Sequence, residues 1–300
     1  ILLPGAVVLP PKFVQVVKLL PSQIVKIQSN PQEAQKCCLH ISSGDASFTL
    51  VGMEPDHFPQ VPKELKELHF QLKSQYFKEL LNNTLFAAAV ECHNPIFEGV
   101  CIEAKDGQLF AIGSDTYRIA LQTTPMQTEA PDFKAVIPAR ILNEINKIIT
   151  DPNEVVSCYV SDREIRIAYK DYILSSRILA GDYPNFFPVF PQDNKTTIIV
   201  KTKELKDIIT RALLISHKIK ISVKDSMAVS AKAQDGTLEE VVQAENISGE
   251  ELEVFFNAHY ISDIFRVVTD DTITLNFNGP VGPCLIEQGN FKYLILPIRP

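Results

Sequence analysis

AVIPARILNEINKII, Ala135 to Ile149, follows a pattern the chain has already used once, in AVVLPPKFVQVVKLL, Ala6 to Leu20. Each copy is a short β-branched run feeding an amphipathic helix, and aligning Pro10 with Pro138 sets the offset at 128 residues. Each then passes through alternating, strand-like segments to an aromatic-proline corner, Phe58-Pro59 in the first and Tyr183-Pro184 in the second, at an offset of 125. A second unit repeats too: FQLKSQYFKELLNNTL (Phe70 to Leu85) resembles IVKTKELKDIITRALL (Ile199 to Leu214), with Lys73-Ser74 on Lys201-Thr202 at 128 again. VFFNAHYISDIFRVV (Val254 to Val268) is a weaker third echo of the first unit. A period several times that of a solenoid, and about the size of a whole domain, predicts equivalent domains in a row.

Counted from the corner, the domains are residues 1–62, 63–191 and 192–300. The first is partial, about 66 residues short of the period, and the chain opens on Ile1 rather than Met, which reads as a truncated, processed or misannotated product. SFTLV (Ser47 to Val51), EIRIAY (Glu164 to Tyr169), TITLNFN (Thr272 to Asn278) and KYLILP (Lys292 to Pro297) have the alternation or β-branched content of strands. Helical spacing puts Phe13, Val16, Val17 and Leu20 on one face, as it does Ile141, Ile145, Ile148 and Ile149, and Leu205, Ile208, Ile209 and Ala212. Each domain is therefore expected to be α+β: two helices on one side of antiparallel sheets, with the other sheet face solvated.

With 45% hydrophobic and 22% charged residues, the chain can bury more than one core. No apolar run reaches bilayer length and no charged leader precedes an apolar core, so a cytosolic, membrane-free location is the default expectation. The six cysteines (Cys37, Cys38, Cys92, Cys101, Cys158, Cys284) show neither CxxC pairing nor His at ligand spacing, so free thiols and no metal are expected. Cys92-His93 neighbours point apart, and Asp270-Asp271 reads as a turn before a strand. Gly113, Gly181 and Gly279 read as turns, with no phosphate-loop arrangement and no cofactor motif. No catalytic constellation emerges.

Charge is unevenly spread. The chain carries −7, yet the five helical segments (10–20, 73–85, 138–150, 201–216 and 257–268) hold eleven Lys or Arg against five Asp or Glu, leaving −13 elsewhere. The cations are Lys12, Lys18, Lys73, Lys78, Arg140, Lys147, Lys201, Lys203, Lys206, Arg211 and Arg266. Arranged along one concave side they would attract a phosphate backbone without reading bases; taken singly, each is an ordinary solvated helix lysine or arginine.

Six ordered motifs, FPQVP (Phe58 to Pro62), SDTYRIA (Ser114 to Ala120), VIPAR (Val136 to Arg140), SSRILAGDYPN (Ser175 to Asn185), FFNAHYISDIF (Phe255 to Phe265) and YLILPIRP (Tyr293 to Pro300), carry a resemblance. Over essentially its whole length the chain resembles the sliding clamps of bacterial replication, the beta subunits of DNA polymerase III, lacking roughly the first half of the first domain. The resemblance implies a head-to-tail homodimeric ring of similar domains around double-stranded DNA, held without sequence preference. It implies as partners the polymerase III catalytic subunit, the clamp loader and other proteins carrying a clamp-binding peptide, often of QLxLF type. A clamp-like or truncated module that binds such peptides without encircling DNA is the alternative.

Carried over by motif, the peptide pocket would be walled by Phe97, Gly99, Ser114, Thr116, Tyr117, Arg118, Ile119, Pro184, Pro188, Val189, Leu294, Leu296, Pro297, Ile298 and Arg299. Thr116-Tyr117 stand where the family usually has Gly-His, Leu296 where it has Met, and Pro300 where a Leu is common. The DNA-facing set would be Lys12, Lys73, Lys78, Arg140, Lys147, Lys201, Lys203, Lys206, Arg211 and Arg266. Phe48 and Leu50 would meet the partner's Leu214 and Ile215 at the ring joint, the usual remedy for an apolar edge strand.

Overall fold

In the computed structural model, which describes residues 6–21, 24–29, 37–58, 69–126 and 131–299, helix and strand form where the two periodicities place them. The chain divides into two compact units, Ile1–Glu64 and Leu65–Pro300.

In the first unit, Pro10 and Pro11 lead into α1 (Lys12–Lys18), where a φ near −60° suits a helix start. β1 (Lys26–Ser29), β2 (Cys38–Ser43) and β3 (Ala46–Val51) then form an antiparallel sheet in that order. The central strand buries Cys38, Leu39, Ile41 and Ser43. β3 is an edge, and Phe48 and Val51 are exposed on it. The apolar face expected of α1 buries nothing: Phe13, Val16 and Leu20 are half-buried and Val17 is exposed. Pro59 to Pro62 and the 62/63 boundary lie outside the described residues.

The second unit opens with β4 (Phe70–Lys73), α2 (Ser74–Asn82), β5 (Gly99–Lys105), β6 (Gln108–Ser114) and β7 (Arg118–Pro125). β8 (Phe133–Pro138), α3 (Ala139–Ile148), β9 (Val155–Val160), β10 (Glu164–Tyr169) and β11 (Tyr172–Arg177) follow. The pattern then returns as β12 (Thr196–Lys201), α4 (Thr202–Leu213), β13 (Lys218–Val223), β14 (Met227–Lys232), β15 (Thr237–Val242) and β16 (Ala244–Gly249). It ends with β17 (Leu252–Asn257), α5 (Ala258–Ile264), β18 (Thr272–Phe277), β19 (Cys284–Gln288) and β20 (Phe291–Ile295). The quoted repeats are thus strand-into-helix pairs: β8 with α3 and β17 with α5, β4 with α2 and β12 with α4.

One nine-stranded sheet, ordered β16-β12-β18-β19-β20-β7-β6-β5-β8, runs through both repeats, and two four-stranded sheets, β11-β10-β9-β4 and β15-β14-β13-β17, flank it. The repeats are joined at β20 and β7, where Tyr293 opposes Ala120 and Leu294 opposes Ile119. Ala120 lies across from Gly113, and Gln122, on the same face, from Ala111. On that face Phe77, Leu80, Leu142 and Ile145 pack over Val100, Ile102 and Ala111 in one core. In the neighbouring core, Leu205, Ile208, Ile209, Ala212 and Ile261 pack with Ala120, Tyr293 and Ile295. All four helices of this unit therefore cover the same face of the long sheet. On α3 the centre of the buried stripe is Leu142 and Ile145, with Ile141 and Ile148 at its margins.

Over the middle strands of the long sheet the opposite face departs from expectation, because there it is not solvated. Cys101, Ile112, Ile119, Leu121, Leu285 and Leu294 make a third core, capped by Ile96, Phe97, Tyr183 and Phe190. The aromatic-proline corner folds back over the sheet, and the Tyr183 hydroxyl donates to the Ile112 carbonyl at 3.1 Å. Gly113 also departs: it sits inside β6, not in a turn, and the strand takes glycine there because a Cβ would lie 2.2 Å from the Thr84 carbonyl oxygen. The last strand ends at Ile295 rather than Pro297, since Leu296 turns its N–H to the Tyr117 carbonyl and Pro297 has none to give.

Candidate functional site

The SDTYR loop between β6 and β7 lies at the junction of the two repeats. Ser114 is fully buried; its hydroxyl donates to the Arg118 carbonyl at 2.8 Å and accepts the Thr116 N–H at 3.1 Å. The Asp115 carboxylate accepts the N–H groups of Tyr117 and Arg118 at 3.0 and 3.1 Å. These bonds hold Thr116 at φ 77°, a left-handed backbone that β-branched residues rarely adopt. The strain sends Tyr117 outward, 58% exposed, while its carbonyl accepts from Leu296 at 2.9 Å.

The pocket residues expected from the sequence fall into two layers. Phe97, Gly99, Ser114, Ile119 and Leu294 are buried and form a floor. A Cβ at Gly99 would sit 2.8 Å from the Ile137 carbonyl oxygen, so glycine admits the strand beneath. Thr116, Tyr117, Pro184, Pro188, Val189 and Arg299 are exposed around it, and Leu296, Pro297 and Ile298 are half-buried. Leu296 packs into the same cluster as Phe97, Ile119 and Leu294, and the Ile298 N–H donates to the Phe255 carbonyl at 2.8 Å, fixing the tail. Beside this rim an 860 Å³ cleft is bounded by Val90, Glu91, His93, Tyr117 and Tyr260. Cys92 gives its N–H to the Glu98 carboxylate, and His93 is exposed.

Arg118 lines this cleft, as expected of a wall residue, and also ties the two repeats together. Alternation along β7 turns its guanidinium to the helix-covered face, where it donates to Asp115 at 2.9 Å, to the Phe86 carbonyl at 2.7 Å and to Asp263. Its carbon lies 4.6 Å from the Tyr260 ring centre and 5.7 Å from that of Phe86. Burial opposes the charge, but Tyr293 and the carboxylates of Asp263 and Asp115 outweigh it, so the pKa lies above the ordinary arginine value. The Tyr293 hydroxyl in turn donates to the Tyr260 carbonyl at 2.9 Å. This knot ties residues 86 and 118 of one repeat to 260, 263 and 293 of the next. Sequence reading missed it: Asp115-x-x-Arg118 was the only local signal, and the other partners converge only through the β20–β7 pairing.

The basic residues also divide. Lys78 spends its ammonium on the Ile149 carbonyl at 2.9 Å, capping α3. Lys147 pairs with Glu144, Arg266 with Asp263, and Arg211 forms a fork with Glu240 at 2.7 and 2.6 Å. Lys12, Lys73, Arg140, Lys201, Lys203 and Lys206 are exposed and form no ion pair among the described residues. Of the ring-joint candidates, Leu214 is 82% exposed at the end of α4, Phe48 is exposed, Leu50 is half-buried, and Ile215 packs against the α4 core.

The described residues contain no cluster of three His, Cys, Asp or Glu that could hold a metal, and none of their helices is long and apolar enough to cross a membrane. Asp270 and Asp271 instead offer carbonyls to Thr202 at the start of α4. All six cysteines are unbridged. Burial pushes the Cys101 thiol up to about 12 and those of Cys158 and Cys284 further, so these thiols are inert packing groups.

Residues 71–185 match the family described as the DNA polymerase III beta subunit, central domain, and residues 188–299 match its C-terminal domain. The beta sliding clamp of Bacillus subtilis is 33% identical over 310 residues, covering 99% of this chain and 81% of the relative. That of Staphylococcus epidermidis is 28% identical, covering 98% and 80%. Among solved structures, the sliding clamp of Bacillus subtilis superposes with a TM-score of 0.88 at 32% identity, covering 99% of this chain and 80% of that one. The beta subunit of Streptococcus pyogenes does so with 0.88 at 25% identity, covering 99% and 83%. The chain belongs to the DNA polymerase III beta subunit family, the beta sliding clamps.

Proposed function

We propose that this chain closes a two-subunit ring on duplex DNA and holds the polymerase III catalytic subunit and other peptide-bearing partners there through the cleft at the SDTYR loop. The observation that carries this reading is the nine-stranded sheet through both repeats with four helices on one face. Lys73, Arg140, Lys201, Lys203 and Lys206, exposed on these helices or at their starts, support it. Exposed cations give weak, sequence-independent phosphate attraction, which suits sliding; tight contacts would stall it. Topology supplies retention, and no chemistry is required. A tethered polymerase then re-engages its primer at high effective concentration.

Ring closure needs complementary edges. β3 and β15 each end a sheet, and an unpaired edge strand invites another chain. Phe48, Leu50, Leu214 and Ile215 supply apolar surface for the joint. Beside the cleft, Leu296 over the aromatic core and Tyr117 on the rim suit aliphatic and aromatic anchors of an extended peptide.

Light scattering across a concentration series, with and without Phe48→Asp and Leu214→Asp, tests the ring. A particle of about twice 33.5 kDa that the substitutions split is expected. A monomer at every concentration would overturn closure and leave a peptide-binding module.

A further inference from the structure

The solvent face of the sheet β15-β14-β13-β17 holds a 600 Å³ groove. Register puts Lys218, Lys220, Lys232 and Phe255 on that face, since Lys220 opposes Phe255 and Ser230, while Ile219, Ala231 and Phe256 point into the core. The Lys218 ammonium lies 5.0 Å from the Phe255 ring centre, and Lys220 reaches Glu253 at 3.3 Å. Lys218 and Lys232 form no ion pair among the described residues, and Glu239 is the one acidic residue lining the groove.

Three ammoniums beside an aromatic face form a basic groove on a chain of net charge −7. Its position adds a second argument. The tail that walls the peptide cleft is pinned at one point to Tyr117 through Leu296 and at the next to Phe255 through Ile298. Two extended residues span about 7 Å, so a peptide seated against Leu296 passes close to the groove.

We infer that this groove receives an acidic, extended peptide segment flanking the part of the partner that enters the cleft. The lysines attract carboxylates and the Phe255 ring carries the peptide's aliphatic carbons. Phosphate backbones are the other anion at hand, but the groove is on the sheet face opposite the helices, where duplex DNA is not proposed to lie. The inference rests on the peptide-cleft reading for its geometry and for the first of its two measurements, not for the second.

Two measurements keep them separate. Fluorescence anisotropy would compare a QLxLF-type peptide flanked by four glutamates with the same peptide flanked by four glutamines, on the whole chain and on Lys218→Glu with Lys232→Glu. The acidic flank should tighten binding about fivefold, lose that advantage in the double variant and at high salt, and leave the neutral peptide unchanged. Leu296→Ala should weaken both peptides alike. In parallel, an anchor-free glutamate-rich peptide would be titrated while amide shifts of Lys218, Lys220, Lys232 and Phe255 are followed by NMR. Shifts there support the groove even if no QLxLF peptide binds, which would sink only the cleft. Absence of shifts, or a flank advantage that survives the double variant, overturns the groove.

Discussion

α1 and α3 grow from the same sequence pattern and end in opposite surroundings. α3 buries Leu142 and Ile145 completely, whereas α1 buries none of its residues. The strands behave alike: β10 lies between two partners and buries Ile165, Ile167 and Tyr169, while β3 is an edge with Phe48 and Val51 exposed. Periodicity chooses the element and its apolar side. What packs against that side decides how much free energy it contributes, so the two units should respond very differently to equivalent substitutions.

The largest effect is expected where the second unit is tied most tightly. Arg118→Ala removes every guanidinium donor from the buried knot and leaves Asp115 to its backbone N–H partners and Asp263 to Arg266, a loss of about 3 kcal/mol in urea unfolding. A loss below about 1 kcal/mol would mean the knot is solvated in solution.

Next comes the direct test of the pair of helices. Leu142→Ala should cost about 2–5 kcal/mol by cavity formation, and Val16→Ala on α1 under about 1 kcal/mol. Equal costs would show that α1 is covered in solution.

Alkali probes the second unit through its buried thiols. The folded pKa of Cys101 is raised from 9.0 to about 12, so its contribution is complete below pH 9 and is lost as pH rises from there toward 12. Cys158 and Cys284 act in the same direction. By pH 10 each should have cost about 1 kcal/mol, read as a falling melting temperature that Cys101→Ala makes shallower. A melting temperature flat from pH 8 to 10.5 would contradict this.

The smallest change is at the strained turn. Thr116→Gly removes the left-handed strain and adds unfolded-state entropy, for a net gain of about 0.5 kcal/mol. Peptide affinity measured on the same variant shows whether the strain serves to present Tyr117. A loss of stability would mean that the Thr116 side chain contributes contacts of its own.

Much of this was legible in the sequence. SFTLV, EIRIAY and TITLNFN became β3, β10 and β18, and Leu205, Ile208, Ile209 and Ala212 are the buried stripe of α4. The cleft was legible only through its motifs, because Phe97, Tyr117 and Leu296 come from segments far apart in the chain. Lys78, Lys147, Arg211 and Arg266 looked like the other cations until their carbonyl and carboxylate partners were in place.

The sequence by itself determined the repeat, the helices and strands, the apolar faces and the family, since these follow from local spacing and ordered motifs. Tertiary structure alone decided that one sheet crosses both repeats, that its far face carries an aromatic core, and that Arg118 joins Phe86 to Asp263 and Tyr293 across the junction. The physical reason is that pairing β20 with β7 brings residues some 175 positions apart into contact, and no local pattern encodes where a strand's free edge will find its partner.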